Sequence, residues 1–336
     1  MRIAGPIAKC LGVLLLTSVL GYGVAHTDDR AQMKLVYSTD FSPANLPYFV
    51  AKSQGWFEKN GVSIDEEKLL GDSNSVRLIM TGGGDVTQVG LITALDAVLG
   101  GAKLKVIGAW QPIVDYQIIA GKNVGTKLQD LAGKTIATYD NSDMTSEIPK
   151  MILMKNKVDI TNEKFLATQG FHAARLQAVA AGKADASMVS TLVAKQGIAA
   201  GSVNIVAAVH DDFPLMGYAF LITTDTDLAD PAKRKALKLF LKGSILGARF
   251  IVDHTDEASQ ILIAGRPDLP PDLVKSVMAD LVKMKVYGVN GGIDRDVIDY
   301  NVKLSVDLKM LASPVKYEEV ADRSLVDEIL KEIGTR

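Results

Sequence analysis

Residues 34–64 read KLVYSTDFSPANLPYFVAKSQGWFEKNGVSI, and this stretch decides the fold class. Residues 34–39 are rich in β-branched and aromatic side chains, a composition that predicts a strand. Apolar side chains then recur at helical spacing over 47–59, which predicts a helix. Asn60-Gly61 is typical of a left-handed helix end, and residues 62–64 return to a strand pattern. A strand, a helix and a second strand in this order form a βαβ unit, which builds a parallel sheet.

The same alternation continues on both sides of Gly121-Lys122-Asn123-Val124-Gly125, a turn-rich patch that we interpret as a candidate hinge. The first run ends with strands at 104–110 and 116–120, and the second of these is expected to leave the first half of the molecule. The second run ends with a strand at 203–209. Between that strand and the C-terminal region lies an apolar strand at 218–223, which can carry the chain back to the first sheet.

From Pro231 onward the pattern is nearly all helical. The sequence therefore predicts an α/β fold with two lobes, two mixed or parallel sheets joined by a hinge, and a helical C-terminal tail. Lobe I is expected to comprise 33–120 and 218–336, and lobe II 121–217. One large doubly wound domain is the alternative, and the sequence leaves it open.

Residues 1–25 have the organisation of a signal peptide. Arg2 and Lys9 form a short positive region, residues 10–20 are apolar, and Gly23-Val24-Ala25 places small residues at the cleavage site. We expect cleavage after Ala25 and a periplasmic mature protein; a retained N-terminal anchor is the less favoured alternative. Because Cys10 is the sole cysteine of the sequence, cleavage would leave no thiol or disulfide in the mature chain.

The charge pattern and the reactive residue types narrow the function classes. The formal net charge is −2 and no basic stripe occurs, so we expect no nucleic-acid partner. The four histidines form no spaced metal pair, and no serine lies in a nucleophile-elbow motif. The sequence therefore predicts no catalytic residue, no metal site and no cofactor.

Candidate ligand-binding residues lie in loops between strand ends and helix starts, because such loops share one sheet edge in this fold class. Helix N-termini there offer free backbone N–H groups and a positive dipole end, although plain N-capping is the better explanation for any single residue. In the first run the candidates are Asp40, Phe41, Asn45, Tyr48, Asp72, Ser73, Asn74, Ile92, Thr93, Trp110 and Gln111. In the second run they are Asn141, Ser142, Asp143, Met144, Gln169, Phe171, Ser190, Thr191, Asp212 and Phe213. For Asp212 a solvated loop position is an equally good interpretation.

Four segments carry a resemblance to a known family: residues 41–62, quoted in part above, together with 82–86, 131–137 and 180–186. In this order they resemble the NMT1/THI5-like family, which includes periplasmic binding proteins for sulfonates, nitrate and thiamine-precursor pyrimidines. The resemblance implies a type II periplasmic-binding-protein fold that binds a small molecule between its lobes and delivers it to an ABC transporter permease. We expect such a protein to act as a monomer and not as an enzyme.

The sequence also departs from members of this family. Asn45 stands where pyrimidine binders usually have histidine, and Ser190-Thr191 where sulfonate binders often have Trp-Asp. No arginine lies in the candidate loops, which argues against bidentate capture of an anion and favours a mostly neutral or aromatic ligand, with or without a carboxylate. Backbone N–H groups could still hold an anion. The alternatives are a ligand sensor for a membrane receptor and an enzyme of the pyrimidine-synthesis type. Such an enzyme depends on a cysteine-rich motif, and the expected mature chain has no cysteine.

Overall fold

The computed structural model describes residues 30–336 except 38, 70 and 142. The predicted signal peptide at 1–25 and the candidate residue Ser142 therefore lie outside the described residues. Within the described chain, ten strands form two sheets of five. In chain order they are β1 (Ala31–Tyr37), β2 (Val62–Lys68), β3 (Val86–Val89), β4 (Leu104–Gln111), β5 (Tyr116–Gly121), β6 (Thr135–Thr138), β7 (Lys164–Ala167), β8 (Ala186–Ser190), β9 (Val203–Ala208) and β10 (Ala219–Thr224).

Both sheets are mixed, and in each the fourth strand, next to one edge, runs against its neighbours. The first sheet has the order β2-β1-β3-β10-β4, in which β1 is parallel to β2 and β3 while β10 is antiparallel to β3 and β4. The second has the order β7-β6-β8-β5-β9, with β5 antiparallel to β8 and β9. The prediction of two separate sheets is confirmed, and a single continuous sheet is excluded.

The strand β5 corrects the predicted lobe boundary. Tyr116–Gly121 was expected to end lobe I, yet it pairs with β8 and β9 of the second sheet. The candidate hinge at 121–125 also lies within the second lobe, because Gly121 and Lys122 donate backbone hydrogen bonds to Asp185 and Ser202. The chain instead crosses between the sheets at 112–115 and again at 213–218. Strand β10 does return to the first sheet, as predicted.

Residues of β10 and β4 show how the core is divided by the first sheet. Ile222 and Val106 belong to one hydrophobic cluster, whereas their chain neighbours Leu221 and Ile107 belong to the other. Successive side chains of a strand point to opposite faces, so apolar residues on both faces require helices on both sides. The sheet is therefore covered on both faces, which leaves its edges for the loops.

Fifteen α-helices flank the sheets in the part of the chain that the structure describes. They are α1 (Leu46–Ser53), α2 (Trp56–Lys59), α3 (Asp72–Met80), α4 (Leu91–Leu99), α5 (Met144–Lys155), α6 (His172–Ala180), α7 (Thr191–Ala199), α8 (Val209–Asp212), α9 (Asp225–Ala229), α10 (Pro231–Asp253), α11 (Thr255–Gly265), α12 (Pro271–Lys283), α13 (Arg295–Asp307), α14 (Tyr317–Val320) and α15 (Ser324–Ile333). Gly55, with φ of +64°, divides the predicted helix 47–59, because this left-handed conformation interrupts an α-helix.

The C-terminal helices contact both lobes, and this also differs from the prediction that residues 218–336 belong to lobe I. In α13, Ile298 and Val302 lie in a core cluster of the first sheet, whereas Leu304, and Leu308 directly after the helix, lie in the core of the second. Helix α12 packs against α7 of the second lobe. Because α13 buries apolar side chains in both cores, it adds a third connection between the lobes. No helix among the described residues has the length and apolar character needed to span a bilayer.

Candidate functional site

Two tyrosines mark the place where the lobes meet. Tyr116 begins β5 directly after the first crossing, and Tyr218 precedes β10 at the end of the second. Their ring centroids are 5.5 Å apart. Burial is the main reason why the pKa values of both hydroxyls are raised. Since parallel strands of both sheets end beside these crossings, the loops at those strand ends form the candidate ligand site.

Arg175 supplies the positive charge of the site from lobe II. It lies one turn into α6 and is 3% exposed. Nε donates to the backbone oxygen of Met188 at 3.1 Å, and Nη1 donates to that of Gly170 at 3.0 Å. Among the described residues no carboxylate forms an ion pair with this guanidinium, although Asp143 and the two tyrosines interact with it electrostatically. Burying a charge without a counter-ion is costly, so this arrangement suits a site that receives an anion.

His172, at the first position of α6, lies beside Tyr116 with ring centroids 5.1 Å apart. Its Nδ1 faces two donors: the backbone N of Ser190 at 3.0 Å and Nη2 of Arg175 at 3.2 Å. Nδ1 must therefore accept, which assigns the proton of a neutral ring to Nε2. Burial, followed by the charge of Arg175, lowers the pKa of His172 to about 3. The ring is thus a fixed N–H donor at neutral pH.

The N-terminus of α6 has helix N–H groups that remain open among the described residues. Phe171 is its N-cap residue and makes no side-chain capping hydrogen bond. Within the described chain, no protein acceptor faces the backbone N–H groups of His172 and Ala173. Free N–H groups and the positive end of the helix dipole favour a negative group there. Together with Arg175, they form a consistent anion-binding arrangement.

At the N-terminus of α7, the carboxylate of Asp115 takes the place that an anionic group would take at α6. Its Oδ2 accepts from the backbone N of Thr191 at 3.1 Å, and its Oδ1 accepts from Nε2 of Gln111 at 3.1 Å. Nε2 of Gln117 donates to Oγ1 of Thr191 at 3.0 Å. Burial raises the pKa of Asp115, while these hydrogen bonds act in the opposite direction. The network fixes the first crossing to the start of α7.

Asp72 brings a carboxylate from lobe I. It begins α3, and its Oδ2 accepts from the backbone N of Gly90 at 2.7 Å, so it joins the loops that follow β2 and β3. A Cβ atom at Gly90 would lie 3.3 Å from this oxygen, so glycine permits the close approach. Asp72 and Asp115 both raise the pKa of Tyr218, whereas Arg175 lowers it. The hydroxyl of Tyr218 is therefore subject to both the negative and the positive groups of the site.

An exposed aromatic pair borders the second-lobe side. Tyr139 follows β6 and Phe171 follows β7, and their ring centroids are 5.8 Å apart. Tyr139 is 37% exposed and Phe171 59% exposed. Large exposed aromatic side chains beside the N-terminus of α6 are suited to cover an apolar part of a ligand.

Several predicted residues do lie at this junction. The junction at the two tyrosines includes Asp72, Gln111, Asp143, Phe171, Ser190 and Thr191. Four of these mainly make hydrogen bonds within the protein: Gln111, Asp143, Ser190 and Thr191. Whether they also contact a ligand remains a prediction.

Other predicted residues lie in hydrophobic cores. Trp110 is 1% exposed and donates from Nε1 to Oγ of Ser244 at 3.1 Å, on α10. Tyr48 packs on Trp110, with ring centroids 5.8 Å apart, and its hydroxyl donates to Glu66 at 2.6 Å. Their rings fill the space between the first sheet and α10. As a correction to the sequence prediction, we assign both to the core of lobe I.

Phe213 and Asp212 lie on a different surface. Phe213 is 6% exposed in the core of lobe II, and Asp212 forms an ion pair with Lys155 at 2.9 Å. Both line a groove of about 560 Å³ that also includes Tyr300 and Leu304 of α13. This groove is separate from the tyrosine pair, so these two residues are also removed from the candidate site.

The remaining predicted residues belong to loop structure or to helix starts. Asn45 is 1% exposed and holds its own loop, because it donates to Asp40 and Thr39 and accepts from Ser42. Phe41 stacks on Phe49, with centroids 4.1 Å apart, and Asp40 forms an ion pair with Lys68. Ser73, Asn74, Ile92, Thr93 and Met144 lie in first turns of helices, while Asn141 and Gln169 are exposed loop residues.

Sequence reasoning missed Tyr116, Tyr218, His172, Arg175 and Asp115. Tyr116 and Asp115 were missed because the lobe boundary was misplaced, and His172 was considered only as a possible metal ligand. Arg175 was overlooked because it lies within a helix, four residues after the loop into which it reaches. Side chains at i and i+3 or i+4 share a helix face, so a first-turn arginine was a detectable signal. In the described part of the chain, no group of three or more His, Cys, Asp or Glu side chains is arranged to hold a metal ion.

Comparisons with solved structures show the same fold at low sequence identity. The alkanesulfonate-binding protein SsuA from Xanthomonas axonopodis pv. citri, bound to MOPS, has a TM-score of 0.67 and 17% identity, over 88% of this chain and 99% of that one. The ligand-binding component of an ABC-type import system from Staphylococcus aureus, with zinc bound, has a TM-score of 0.72 and 13% identity, over 89% and 99%. The desulfurization enzyme DSZB has a TM-score of 0.66 and 13% identity, over 90% and 99%.

No curated protein matches the sequence significantly. A family model described as "NMT1/THI5 like" matches residues 42–258, which is more than half of the chain. This range contains β10 and both crossings, and therefore the tyrosine pair and the anion-binding arrangement of α6. The chain belongs to the NMT1/THI5-like family.

Proposed function

We propose that this protein is the extracytoplasmic solute-binding component of an ABC importer and that it captures a small organic anion between its lobes. The proposal that the ligand is an anion rests on Arg175. Its guanidinium is buried, has no carboxylate partner among the described residues, and lies beside the open N-terminus of α6. An anion there would receive hydrogen bonds from N–H groups and the charge of Arg175. This revises the expectation of a mostly neutral ligand, which rested on the lack of arginine in the loops.

The exposed pair Tyr139 and Phe171 supports an organic body on the ligand. Their rings lie next to the α6 N-terminus, since Phe171 is its N-cap residue. A solute with a negative end and an apolar part would use both features. Sulfonates fit this description, and the SsuA relative with bound MOPS is consistent with it. Carboxylates with an apolar body fit it equally.

Capture proceeds by hinge closure around the two crossings, and the closed form is the one offered to a permease. We further propose a monomer, export by the signal peptide at 1–25, and a periplasmic location. The fold shared with the ABC-type ligand-binding component supports the import role. A receptor-coupled sensor would have the same architecture, and a solute-uptake assay in cells that lack this protein separates the two.

The fold also occurs in DSZB, so binding without turnover is itself part of the proposal. His172 cannot act as a base through Nδ1, because that nitrogen already accepts from Ser190 and Arg175. Incubation of the protein with each ligand, followed by mass spectrometry of the solution, tests this point. Release of any product at a rate that depends on protein concentration would contradict it.

The binding proposal is tested by calorimetry and thermal shift with a panel of alkyl and aryl sulfonates, matched carboxylates, nitrate and the corresponding neutral alcohols. Anions are expected to bind and the alcohols are not. A ligand at a hundred times its Kd stabilises the folded protein by about 2.7 kcal/mol. Arg175→Met should weaken anion binding by about ten- to a hundredfold, since hydrogen bonds to charged groups contribute about 1.5–3 kcal/mol.

Arg234→Met is the matched control, because Arg234 pairs with Glu328 on the far helices α10 and α15. It should leave affinity unchanged. Arg175→Lys separates charge from geometry, since lysine keeps the charge and loses the planar donor fork. Equal binding of anions and alcohols, or unaltered anion affinity in a folded Arg175→Met protein, would overturn the proposed ligand class.

A further inference from the structure

The charges around the tyrosine pair are arranged asymmetrically between the lobes. Arg175 lies on the lobe II side, whereas Asp72 belongs to lobe I and Asp115 to the first crossing. All three act on the hydroxyl of Tyr218, the two carboxylates in one direction and the guanidinium in the other. A solute that spans from the N-terminus of α6 to the start of α3 would leave the guanidinium of Arg175 and approach the carboxylate of Asp72.

Asp72 places its negative charge at the start of a second helix. Its Oδ2 accepts from the backbone N of Gly90, the N-cap residue of α4, at 2.7 Å. The N-cap N–H is one of the four that a helix leaves without an internal partner. The carboxylate thus takes the position at which an anionic group of a ligand would interact with α4.

Asp115 does the same at α7, where its Oδ2 accepts from Thr191, the first helical residue, at 3.1 Å. At α5 the N-cap Asp143 accepts from Thr145 at 2.9 Å. Among the described residues, the first turn of α6 faces a guanidinium, whereas α4, α5 and α7 each start at a carboxylate. Carboxylates of the protein itself therefore occupy the N-termini of α4, α5 and α7.

We propose that Asp72 is a specificity-determining residue that restricts the cleft to solutes with a single negative end and excludes solutes that are negative at both ends. This inference rests on the proposed function, because it assumes that the anionic end binds at α6 and Arg175. The far end of the solute then meets the carboxylate of Asp72 and must be uncharged or positive. Two like charges at close range repel each other even in a partly solvated site.

The test compares 1-butanesulfonate with 1,4-butanedisulfonate by calorimetry at low ionic strength, on the full mature chain. Wild-type protein should bind the monosulfonate at least about tenfold more tightly than the disulfonate, which corresponds to about 1.4 kcal/mol. Asp72→Asn should bring the two affinities within about threefold of each other, mainly by tightening disulfonate binding. The asparagine oxygen can still accept from Gly90, so the loop is expected to stay in place.

Asp96→Asn is the matched control, because Asp96 is an exposed carboxylate near the other end of α4. It changes the net charge equally and should preserve the tenfold preference. Thermal unfolding of both variants verifies that they are folded.

The outcomes separate this inference from the proposed function. Equal wild-type affinities for the two compounds, or a preference that survives Asp72→Asn, would overturn the role of Asp72 and leave the anion site intact. If neither sulfonate binds to any of the proteins at millimolar concentration, the anion site fails and this inference fails with it. Loss of the preference in both Asp72→Asn and Asp96→Asn would show a general charge effect and would also overturn the assignment.

Discussion

The guanidinium of Arg175 donates to Nδ1 of His172 across 3.2 Å, which makes the histidine an acceptor on one side and a donor on the other. A protonated ring has no acceptor nitrogen, so protonation would break this contact and set two positive charges side by side. The neutral ring is therefore part of how the guanidinium is held.

We expect His172 to make the protein less stable below pH 6.5. Its pKa is about 3 in the folded protein, against about 6.5 in an unfolded chain, so between these values the unfolded chain binds the extra proton. The free energy of unfolding should fall by up to about 2 kcal/mol from pH 7 to pH 5 on this account. Urea unfolding at both pH values measures it. His172→Asn should remove this decrease in the free energy of unfolding between pH 7 and pH 5. His254→Asn, at an exposed position, should retain it.

Trp110→Ala should destabilise the fold and should have no specific effect on ligand binding. Trp110 is fully buried between the first sheet and α10, so removing its ring leaves a cavity that costs about 3–5 kcal/mol. Chemical unfolding measures the loss, and calorimetry on the remaining folded protein measures the affinity. An unfolding free energy that stays within 1 kcal/mol of wild type, with affinity lost, would return Trp110 to the binding site.

Phe171→Ala should have the opposite pattern. The ring is 59% exposed, so its loss should change the free energy of unfolding by less than about 0.5 kcal/mol. Ligands with an aryl or long alkyl group should bind more weakly by about 1 kcal/mol, while nitrate should be unaffected. Calorimetry with benzenesulfonate and nitrate tests the contrast. Equal weakening of both ligands would assign Phe171 to loop structure and not to ligand contact.

Lys195→Met should weaken ligand binding by about two- to fivefold. Lys195 of α7 contacts α12 through Oδ2 of Asp280 at 2.5 Å and Oγ of Ser276 at 2.7 Å, so it links lobe II to the C-terminal helices. A partly exposed ion pair of this kind contributes up to about 1 kcal/mol and is screened by salt. The difference between wild type and variant should therefore shrink at high ionic strength. A difference independent of salt would exclude an electrostatic link.

Asn301→Ala should loosen the second crossing. Asn301 of α13 is 3% exposed; its Oδ1 accepts from the backbone N of Gly217 at 2.8 Å, and its Nδ2 donates to the oxygen of Leu215 at 2.7 Å. Leaving buried backbone groups without partners costs about 1–3 kcal/mol. Asn301→Asp is a matched variant that keeps the acceptor for Gly217 and sets a carboxylate against the oxygen of Leu215. Urea unfolding should show that Asn301→Asp lowers the free energy of unfolding at least as much as Asn301→Ala. If neither variant changes the free energy of unfolding, Asn301 does not stabilise the second crossing.

The sequence by itself determined the two alternating runs, the return strand and the family. These depend on local periodicity and turn residues, such as the helical spacing before Asn60-Gly61 and the apolar run of β10, and local patterns survive in any context. The sequence also indicated Asp72, Phe171, Ser190 and Thr191, because loops after parallel strands share one edge whatever the details of packing.

Only the tertiary structure decided to which lobe β5 belongs. The sequence of a strand does not specify its pairing partners, and β5 pairs with β8 and β9, which are distant in the sequence. It likewise decided that Trp110 is core and that Arg175 reaches back to the Gly170 loop. An aromatic residue at a strand end can face a helix or a cleft, and burial settles the choice once the helix has packed. The sequence shows an arginine in the first turn of α6, but only the packing of that helix on the second sheet showed that its charge is buried beside the loop at Gly170.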